Sequence, residues 1–441
     1  MKTYPSAGAH GARTFRRSLS LRFALLAAAA LLTHSAFAAK PGPNPPPQPP
    51  PSSGTLVLDY LYPGGDFTDN WGLTVAPSGT IYASGYANGG GWRGIVLASS
   101  NSGSSWSMAD NFAPPGRSVY YWDQGGSITS DAAGSLYIVG ATFDFVNSIE
   151  PDQWYVRRST DGGASWTTVD EFHSGCNSGC AEDATGLAVD AAGDVYVCGL
   201  ANNVAGNQTW TIRKGVTGTS FSTVDALPHS YPMAIFAHPT AGLFAVGRKT
   251  VVINNKASGV WLVRRSTDGG VTWSDSDTFQ ISSGNGARAS GIGTDEDGNL
   301  YVVGYGTTTS RGNHVYHWLV RKSTDNGNSW STADDFQQGG SYYPYPEARR
   351  FAMTPNGDLY VAGNIRDVQG FAHWIVRKNP RGRGTWATID DYQYAAGVAT
   401  EPHSMAADGS GNLPLLVFSR KACNPFEPRA TRLPQCLASA G

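Results

Sequence analysis

The sequence predicts an all-β fold built from repeated four-stranded units, and two interleaved repeats support this prediction. The first repeat is an eight-residue turn, Ser-Thr-Asp-Gly-Gly-Ala-Ser-Trp at residues 159–166, which recurs with small changes at 266–273 and 323–330. Its Asp can accept hydrogen bonds from the backbone N–H groups that follow, and its second glycine can take a positive φ. The Trp then begins the next strand with a large apolar face to bury. Each copy therefore predicts a tight turn between two strands.

The second repeat is an apolar strand, a small turn that ends in glycine, and a strand of the form aromatic-apolar-x-Gly. Its clearest copies are residues 186–199 and 291–304, and the turn glycine (alanine in one copy) falls at positions 79, 134, 193, 241, 298, 357 and 411. These are strands A and B of each unit. Strand C is the run Trp-x-Val-Arg-Arg/Lys, and strand D follows the Asp-bearing turn. Seven such antiparallel units without helical periodicity predict a seven-bladed β-propeller of four-stranded blades.

The two ends of the repeat predict how the ring closes. Residues 56–60 resemble the strand D tails at 168–172 and 388–392, yet they precede the first strand A. The seventh unit has strands A and B within residues 403–419, with no Asp-bearing turn after them. We therefore expect the N-terminal strand to form the outer strand of the last blade, which leaves no open edge there. Six blades and a loose pair of strands are the alternative.

Composition fits a single β-rich domain and excludes some classes of partner. Glycine accounts for 54 of 441 residues and charged residues for 15%, as expected of a turn-rich β protein. The net charge of −2 provides no basic surface for nucleic acid. The repeat runs nearly end to end, so residues 55–420 are predicted to form one propeller domain. We expect a monomer, and no cofactor or metal site is predicted.

The N-terminal residues predict an export signal. Four arginines between residues 13 and 22 precede an apolar run at 23–32, which is too short to span a bilayer. Ala36-Phe37-Ala38 is a suitable cleavage triplet, so residues 1–38 are predicted to be a signal peptide of the Sec type, with twin-arginine export as the alternative. Residues 39–54 are proline-rich and predict a stiff spacer, or else a partner motif. The mature protein is expected to be secreted or periplasmic, without a membrane span.

The five cysteines suit an oxidising compartment. Cys176 and Cys180 share one loop and are expected to pair, and Cys423 and Cys436 are expected to staple the C-terminal tail, residues 421–441. Cys198 lies in an apolar strand and is expected to be a buried free thiol. A metal site of Cys176 and Cys180 with His173 is the alternative, but no second ligand pair has matching spacing.

The Asp-bearing turns resemble the Asp boxes, or BNR repeats, of sialidase-like β-propellers, and the resemblance covers residues 56–419. It implies the propeller fold. It implies no single activity, because similar boxes occur in sialidases, xyloglucan-degrading hydrolases, sortilin-type receptors and photosystem assembly factors. The boxes occupy C–D turns, opposite the D–A and B–C loops where propeller sites usually form. Asp161, Asp268 and Asp325 are therefore predicted to be structural.

The residues that a sialidase would need are not fixed by this sequence. Such an enzyme clamps a carboxylate with three arginines and uses a Tyr nucleophile polarised by a Glu, and its Arg-Ile-Pro signature is absent here. Arg248, Arg288 and Arg349 could reach the loop face, and Tyr345 with Glu347 could mimic the nucleophile pair. The catalytic residues therefore stay unknown. A recurrent strand C arginine indicates packing or pairing between blades, at Arg157, Arg213, Arg264, Arg321 and Arg377.

The repeat also predicts the mouth of the central channel. Counting ten residues back from each turn position gives one residue per blade on the D–A loop, namely Asp69, Gln124, Asp183, Tyr231, Arg288, Glu347 and Glu401. Four carboxylates and an arginine around a narrow opening could bind a cation or several hydroxyls, or serve glycoside hydrolysis. The alternative is that any solvated loop position is polar.

Aromatic residues outside the repeat complete the candidate site. Ten of the thirteen Trp occupy repeat positions, whereas Trp71, Trp92 and Trp122 fall in or beside loops of the first two blades. Tyr345 belongs to a second loop cluster, and Arg349 and His403 adjoin the predicted mouth. Such aromatics could stack on a sugar or grip a partner, or could merely cap blade edges. The sequence therefore predicts an exported recognition propeller that binds a glycan or a protein through its D–A/B–C loop face. The alternative is a glycoside hydrolase of sialidase-like type.

Overall fold

The computed structural model describes most of the region predicted to fold. The described residues are 55–59, 63, 67–88, 91–113, 118–120, 127–143, 153–175, 182–202, 206–253, 255–337, 345–366, 370–393, 398–411, 413–421 and 436–440. The predicted signal peptide and proline-rich spacer lie outside them, as do Trp122, Gln124, Cys176, Cys180 and Cys423. The two predicted disulfides therefore stay predictions. None of the helices in the described part of the chain is long and apolar enough to cross a membrane.

The described strands form antiparallel sheets whose members mostly follow one another along the chain. The first sheet contains β2 (Phe67–Val75), β3 (Ile81–Asn88), β4 (Trp92–Ser99) and β5 (Ser107–Phe112). The second contains β6 (Ser118–Tyr120), β7 (Ile128–Ser130), β8 (Leu136–Phe143), β9 (Gln153–Ser159) and β10 (Thr167–Phe172). The third contains β11 (Asp183–Val189), β12 (Val195–Asn202), β13 (Gln208–Val216) and β14 (Thr219–Pro228).

The remaining sheets repeat this order. The fourth contains β15 (Ser230–His238), β16 (Gly242–Ile253), β17 (Lys256–Ser266) and β18 (Ser274–Phe279). The fifth contains β19 (Ala287–Thr294), β20 (Leu300–Ser310), β21 (Asn313–Ser323) and β22 (Ser331–Phe336). The sixth contains β23 (Glu347–Met353), β24 (Leu359–Arg366), β25 (Ala372–Asn379) and β26 (Ala387–Tyr392), with a single 3-10 turn at Pro380–Gly382. The last contains β27 (Val398–Met405), β28 (Leu413–Lys421), β29 (Cys436–Ala440) and β1 (Thr55–Asp59).

The sheets are arranged as the blades of a β-propeller. Their inner strands contact one another in the order β2, β7, β11, β15, β19, β23 and β27, and β27 contacts β2 again. The prediction of an all-β propeller of four-stranded antiparallel blades is thus confirmed in outline. The predicted number of four-stranded blades is wrong: there are six among the described residues, because the second sheet has five strands. Its inner strand is split into β6 and β7, both of which pair with β8.

A β-bulge at a fixed place in the inner strands explains the split. The strand register shifts by one residue in each of the six other inner strands, and the bulged residues are Trp71, Thr185, Met233, Ser290, Arg349 and His403. In the second sheet, Tyr120 pairs with Ala141 and Ile128 pairs with Ile138, so a longer insertion stands where the other inner strands have a single bulged residue. Bulges re-aim side chains.

The N-terminal strand closes the last sheet, as predicted. β1 pairs with β29, which pairs with β28, so β1 is the outer strand of the sheet whose inner strand is β27. The C-terminal tail was predicted only to be stapled by a disulfide, and this is incomplete, because Cys436–Ala440 supplies the third strand. The sequence did not predict this strand because it lacks the Trp and Arg that mark strand C in the other sheets.

Arginine–aspartate pairs join neighbouring sheets, which confirms the predicted pairing between blades. Each strand C arginine donates two hydrogen bonds to an Asp on the outer strand of the preceding sheet. Arg213, for example, donates from Nε and Nη2 to the two carboxylate oxygens of Asp170 at 2.8 and 2.7 Å. The other pairs are Arg157–Asp110, Arg264–Asp225, Arg321–Asp277 and Arg377–Asp334. Tryptophans of the same strands lie below 2% exposure in the core beside them.

The Asp-bearing turns have the hydrogen bonds that their sequence predicts. Asp268 accepts from the Thr272 N–H at 2.9 Å and from the hydroxyls of Ser266 and Thr272 at 2.8 and 2.6 Å. Asp161 and Asp325 repeat these contacts. Bonds from the side chain and the backbone of Thr272 lower the pKa of Asp268 to about 2. Cys198 is a buried free thiol, as predicted, and burial raises its pKa to about 12.

Candidate functional site

A cavity of about 570 Å³ lies where the fifth, sixth and seventh sheets meet, and we call it the mouth cavity. It is formed by the beginnings of the inner strands β19, β23 and β27 and by the far ends of β20 and β24. The lining residues are Arg288, Tyr305, Tyr316, Tyr345, Glu347, Arg349, Asn364, Arg366, Gly370 and Glu401. Because adjacent strands run antiparallel, this end of the blades is opposite the Asp-bearing turns.

The predicted mouth residues lie in strands rather than in the D–A loops, which corrects the prediction. The six that are described occupy β2, β11, β15, β19, β23 and β27, each two residues before the bulge and each opposite a residue of the second strand. The apolar pattern did not show where the inner strands begin, because the first residues of these strands are mostly polar. Of this set, the structure brings Arg288, Glu347 and Glu401 into one cavity, together with Tyr345 and Arg349.

Alternating charges run across the cavity floor. Arg288 Nη2 donates to Glu347 Oε1, which also accepts from the Ser290 hydroxyl at 3.0 Å. Arg349 lies between the two carboxylates, with its Nε 3.6 Å from Glu347 Oε2 and its Nη1 2.9 Å from Glu401 Oε2. Both glutamates are therefore neutralised by arginines in the protein itself.

Glu347 is held in its ionised form. Burial alone would raise its pKa, but the positive charges of Arg288 and Arg349, with hydrogen bonds from Arg288 and Ser290, lower the pKa to about 2. In return, the Glu347 charge overcomes burial and raises the pKa of Arg288 above its already high value. A carboxylate with so low a pKa cannot serve as the proton donor of a glycosidase near neutral pH.

Three tyrosines form one wall of the cavity. The ring centroids of Tyr316 and Tyr345 are 4.4 Å apart, and those of Tyr305 and Tyr316 are 5.7 Å apart. Two guanidinium groups lie over this wall, Arg288 at 5.4 Å from the Tyr305 ring and Arg366 at 5.7 Å from the Tyr345 ring. Tyr345 has a φ of +36°, an uncommon backbone conformation for a residue other than glycine.

Sequence reasoning did not find Tyr305, Tyr316 or Arg366. Tyr305 and Tyr316 face each other near the base of the long hairpin β20–β21, where Tyr305 pairs with Trp318 and Thr307 with Tyr316. The signal that could have found them is the length of this hairpin. Each strand of the hairpin is several residues longer than the corresponding strand of the first sheet, and the longer hairpin forms one wall of the cavity.

Arginines outnumber carboxylates in and beneath the cavity. Arg366 donates to the Gly370 carbonyl oxygen at 2.8 Å. Arg350, which follows Arg349 in β23, donates to the carbonyl oxygens of His403 and Arg349 at 2.6 and 3.1 Å. Neither guanidinium forms an ion pair with a described residue. The mouth cavity therefore has three arginines against two glutamates on its lining.

Five other candidates do not line the mouth cavity, namely Trp71, Trp92, Asp183, Tyr231 and His403. The Trp71 ring stacks on His403 with centroids 4.0 Å apart, and half-buried Trp92 packs against Tyr86 at 5.4 Å. Asp183 is only 2% exposed, and Tyr231 lies in the inner strand of the fourth sheet, from where it acts electrostatically on Arg288. Asp69 lies in β2, but its side chain is not among those that the structure describes. Gln124 and Trp122 lie outside the described residues.

Glu182, next to Asp183, is a second buried carboxyl group. It accepts from the Ser174 N–H at 2.9 Å, and His173 Nδ1 lies 3.2 Å from it. Burial raises its pKa above the ordinary 4.5, although the bonds from Ser174 and the nearby His173 oppose this shift. Within the described part of the chain, no three His, Cys, Asp or Glu residues are grouped so as to hold a metal ion.

Comparison with known proteins gives structural similarity at low sequence identity. No family model matches the chain, and no curated protein matches it in sequence. An α-L-arabinofuranosidase from Fusarium graminearum is similar to it at 11% identity, with 88% of this chain and 96% of that chain covered and a TM-score of 0.49. An ulvan lyase bound to -[GlcA(1-4)Rha3S]- gives 10% identity, 81% and 97% coverage and a TM-score of 0.49.

A microbial sialidase gives 13% identity, 76% and 68% coverage and a TM-score of 0.44. These similarities are too distant to indicate a substrate or an activity for this chain. The resemblance to Asp-box propellers consequently depends on the turns themselves.

Proposed function

We propose that this protein binds an acidic glycan in the mouth cavity. The observation that carries the proposal is the combination of a tyrosine wall with more arginines than carboxylates. Tyrosine rings offer apolar faces to sugar rings, and a guanidinium group binds a carboxylate or sulfate through paired hydrogen bonds. Arg366 is the residue best placed for this, since its partner among the described residues is a backbone carbonyl rather than an acid.

The charge arrangement favours binding over hydrolysis. Glu347 and Glu401 are both engaged by Arg349, and the low pKa of Glu347 keeps it from donating a proton. A glycosidase needs one carboxyl group that is protonated at working pH and a second that is free to act as base or nucleophile. The pair instead orders the cavity floor and neutralises the arginines that a ligand does not use.

A glycan array with the purified full chain tests the proposal, followed by titration of the strongest acidic ligand. Arg366→Met should weaken binding about tenfold or more, because a charge-assisted hydrogen bond contributes about 1.5–3 kcal/mol. Arg383→Met is the matched control, since Arg383 is an exposed arginine of the same sheet at the opposite end. Binding to neutral glycans alone, or equal affinity of Arg366→Met and the wild type, would contradict the proposal.

Glycoside hydrolysis is the second candidate, because two carboxylates share one cavity. If it is correct, the protein will release the chromophore from at least one member of a panel of chromogenic glycosides. Glu347→Gln and Glu401→Gln would then each abolish release while the chain stays folded. Absence of turnover across the panel, with binding retained, would leave recognition as the function.

We further propose that the protein acts outside the cytoplasm, on the basis of the arginine-rich start, the short apolar run and Ala36-Phe37-Ala38. The intact mass of the exported protein should correspond to a chain that begins at Ala39 or within a residue or two. Retention of residues 1–38 would refute this.

A further inference from the structure

A second, smaller cavity lies on the ring axis, and we call it the axial cavity. Its volume is about 140 Å³, and every sheet contributes to its lining a residue of its inner strand or, in the second sheet, a residue beside that strand. Among them are the hydroxyl-bearing Thr185, Ser290 and Ser404, the Trp71 ring and the side chain of Arg350. No Asp or Glu lines it.

Arg350 is an exception at its place in the repeat. The residue that follows the bulge is small in the other bulged inner strands, where it is Gly72, Gly186, Ala234, Gly291 or Ser404. Space is tight there, since a Cβ atom on Gly291 would lie 2.7 Å from the Arg349 carbonyl oxygen. β23 alone among these strands places a long cationic side chain at this position, and the small residues of its neighbours leave room for it on the axis.

The positive charge of Arg350 has no acidic partner among the described residues. Its Nε and Nη1 donate to the carbonyl oxygens of His403 and Arg349, so Nη2 keeps its hydrogens for another acceptor. Its surroundings disfavour the charge, because burial and the nearby Arg349 and Arg288 lower its pKa to about 10, against the opposing effect of Glu347. The group is still charged at neutral pH. Arg350 is half-buried, and a charge that is partly removed from water without a counterion is disfavoured.

We propose that the axial cavity holds a small monovalent anion bound to Arg350. A water molecule occupies about 30 Å³ of liquid, so the cavity has room for an ion as small as chloride, nitrate or formate. The Ser404 hydroxyl and the free Nη2 hydrogens supply donors. The anion would complete the channel and stabilise the meeting of the inner strands, and this role is separate from glycan binding in the mouth cavity.

The test measures the melting temperature of the full chain without glycan, while chloride replaces gluconate at constant ionic strength. A bound ion stabilises the folded state in proportion to ln(1 + [L]/Kd), so the melting temperature of the wild type should rise with the logarithm of chloride concentration above Kd, by a total on the order of 2 °C. Arg350→Met should show no such rise. Arg350→Lys keeps the charge and should need more chloride for the same shift. Arg366→Met should respond like the wild type, because Arg366 lines the other cavity.

Each outcome decides the proposal. The absence of a rise in the wild type, or a rise that persists in Arg350→Met, would overturn it. A rise that is lost in Arg366→Met would overturn it too, because the anion would then lie in the mouth cavity. If Arg350→Met does not fold, wild-type crystals grown in bromide decide the matter. An anomalous peak beside the Arg350 guanidinium supports the site, and its absence from the axial cavity refutes it.

Discussion

Removal of one member of the Arg213–Asp170 pair should cost the protein much more free energy of unfolding than removal of both. The two hydrogen bonds are 2.7 and 2.8 Å long, and the side chains are only 10% and 11% exposed. Arg213 also lies 4.2 Å over the Phe172 ring. Breaking a buried pair from one side leaves an unpaired charge and costs about 3–5 kcal/mol. We therefore expect about 3 kcal/mol from either Arg213→Met or Asp170→Leu, at the lower end because some solvent reaches the pair.

Urea denaturation of the two single variants and the double variant measures the coupling. The double variant replaces the pair by apolar groups, and such replacements are often nearly neutral. The coupling free energy is the difference between the two single losses taken together and the loss in the double variant, so it should be on the order of 6 kcal/mol. Arg158→Met is the control, because half-buried Arg158 forms no ion pair with a described residue and makes only a long contact of 3.4 Å to the Thr217 carbonyl oxygen and one of 5.5 Å to the Tyr137 ring, so it should change stability by less than about 1 kcal/mol. Additive effects, or single variants as stable as the control, would refute the role of these pairs in joining the sheets.

Three further predictions concern the turns, the closing strand and the buried acid. Asp268→Ala should lower the melting temperature and leave glycan affinity unchanged, because its turn lies opposite the mouth cavity; lost affinity at full stability would reverse this assignment. Deletion of residues 55–59 should lower the melting temperature far more than deletion of 41–53, and equal values would refute closure by β1. Glu182 has a raised pKa, so its contribution to stability is present below about 4.5 and is lost as the pH rises through the raised value. Glu182→Gln should therefore flatten the fall of melting temperature above pH 4.5, and an unchanged pH profile would contradict the burial of a charge there.

The sequence predicts the architecture well because each part of the repeat has a local physical cause. Asp268 predicts a turn, because its carboxylate can accept hydrogen bonds from backbone N–H groups. Residues 56–60 predict a strand that completes the last sheet, because they resemble a strand D but precede the first strand A. The sequence did not predict β29, because its residues, Cys-Leu-Ala-Ser-Ala, show no clear alternation of apolar and polar side chains and contain no aromatic residue. It becomes a strand through its backbone pairing with β1 on one side and β28 on the other.

The site was harder to predict because its members come from three sheets. Counting along the repeat found Arg288, Glu347 and Glu401, since one register position recurs in every inner strand. The same count also gave Asp183 and Tyr231, which do not line the cavity, although Tyr231 acts electrostatically on Arg288. Tyr305 and Tyr316 reach the cavity through the length of a hairpin, and no spacing within the repeat reports that length.

Both proposed sites depend on one irregularity, the bulge of β23. In a regular strand, consecutive side chains point to opposite faces, whereas a bulge sets two residues against one. At the bulge and the next position, β23 carries Arg349 and Arg350, and no other bulged inner strand has an arginine or lysine at either place. Arg349 lines the mouth cavity and Arg350 the axial cavity. Since neighbouring positive charges repel, the two guanidinium groups need acceptors in different directions. Glu347 and Glu401 provide them for Arg349, and the proposed anion provides one for Arg350.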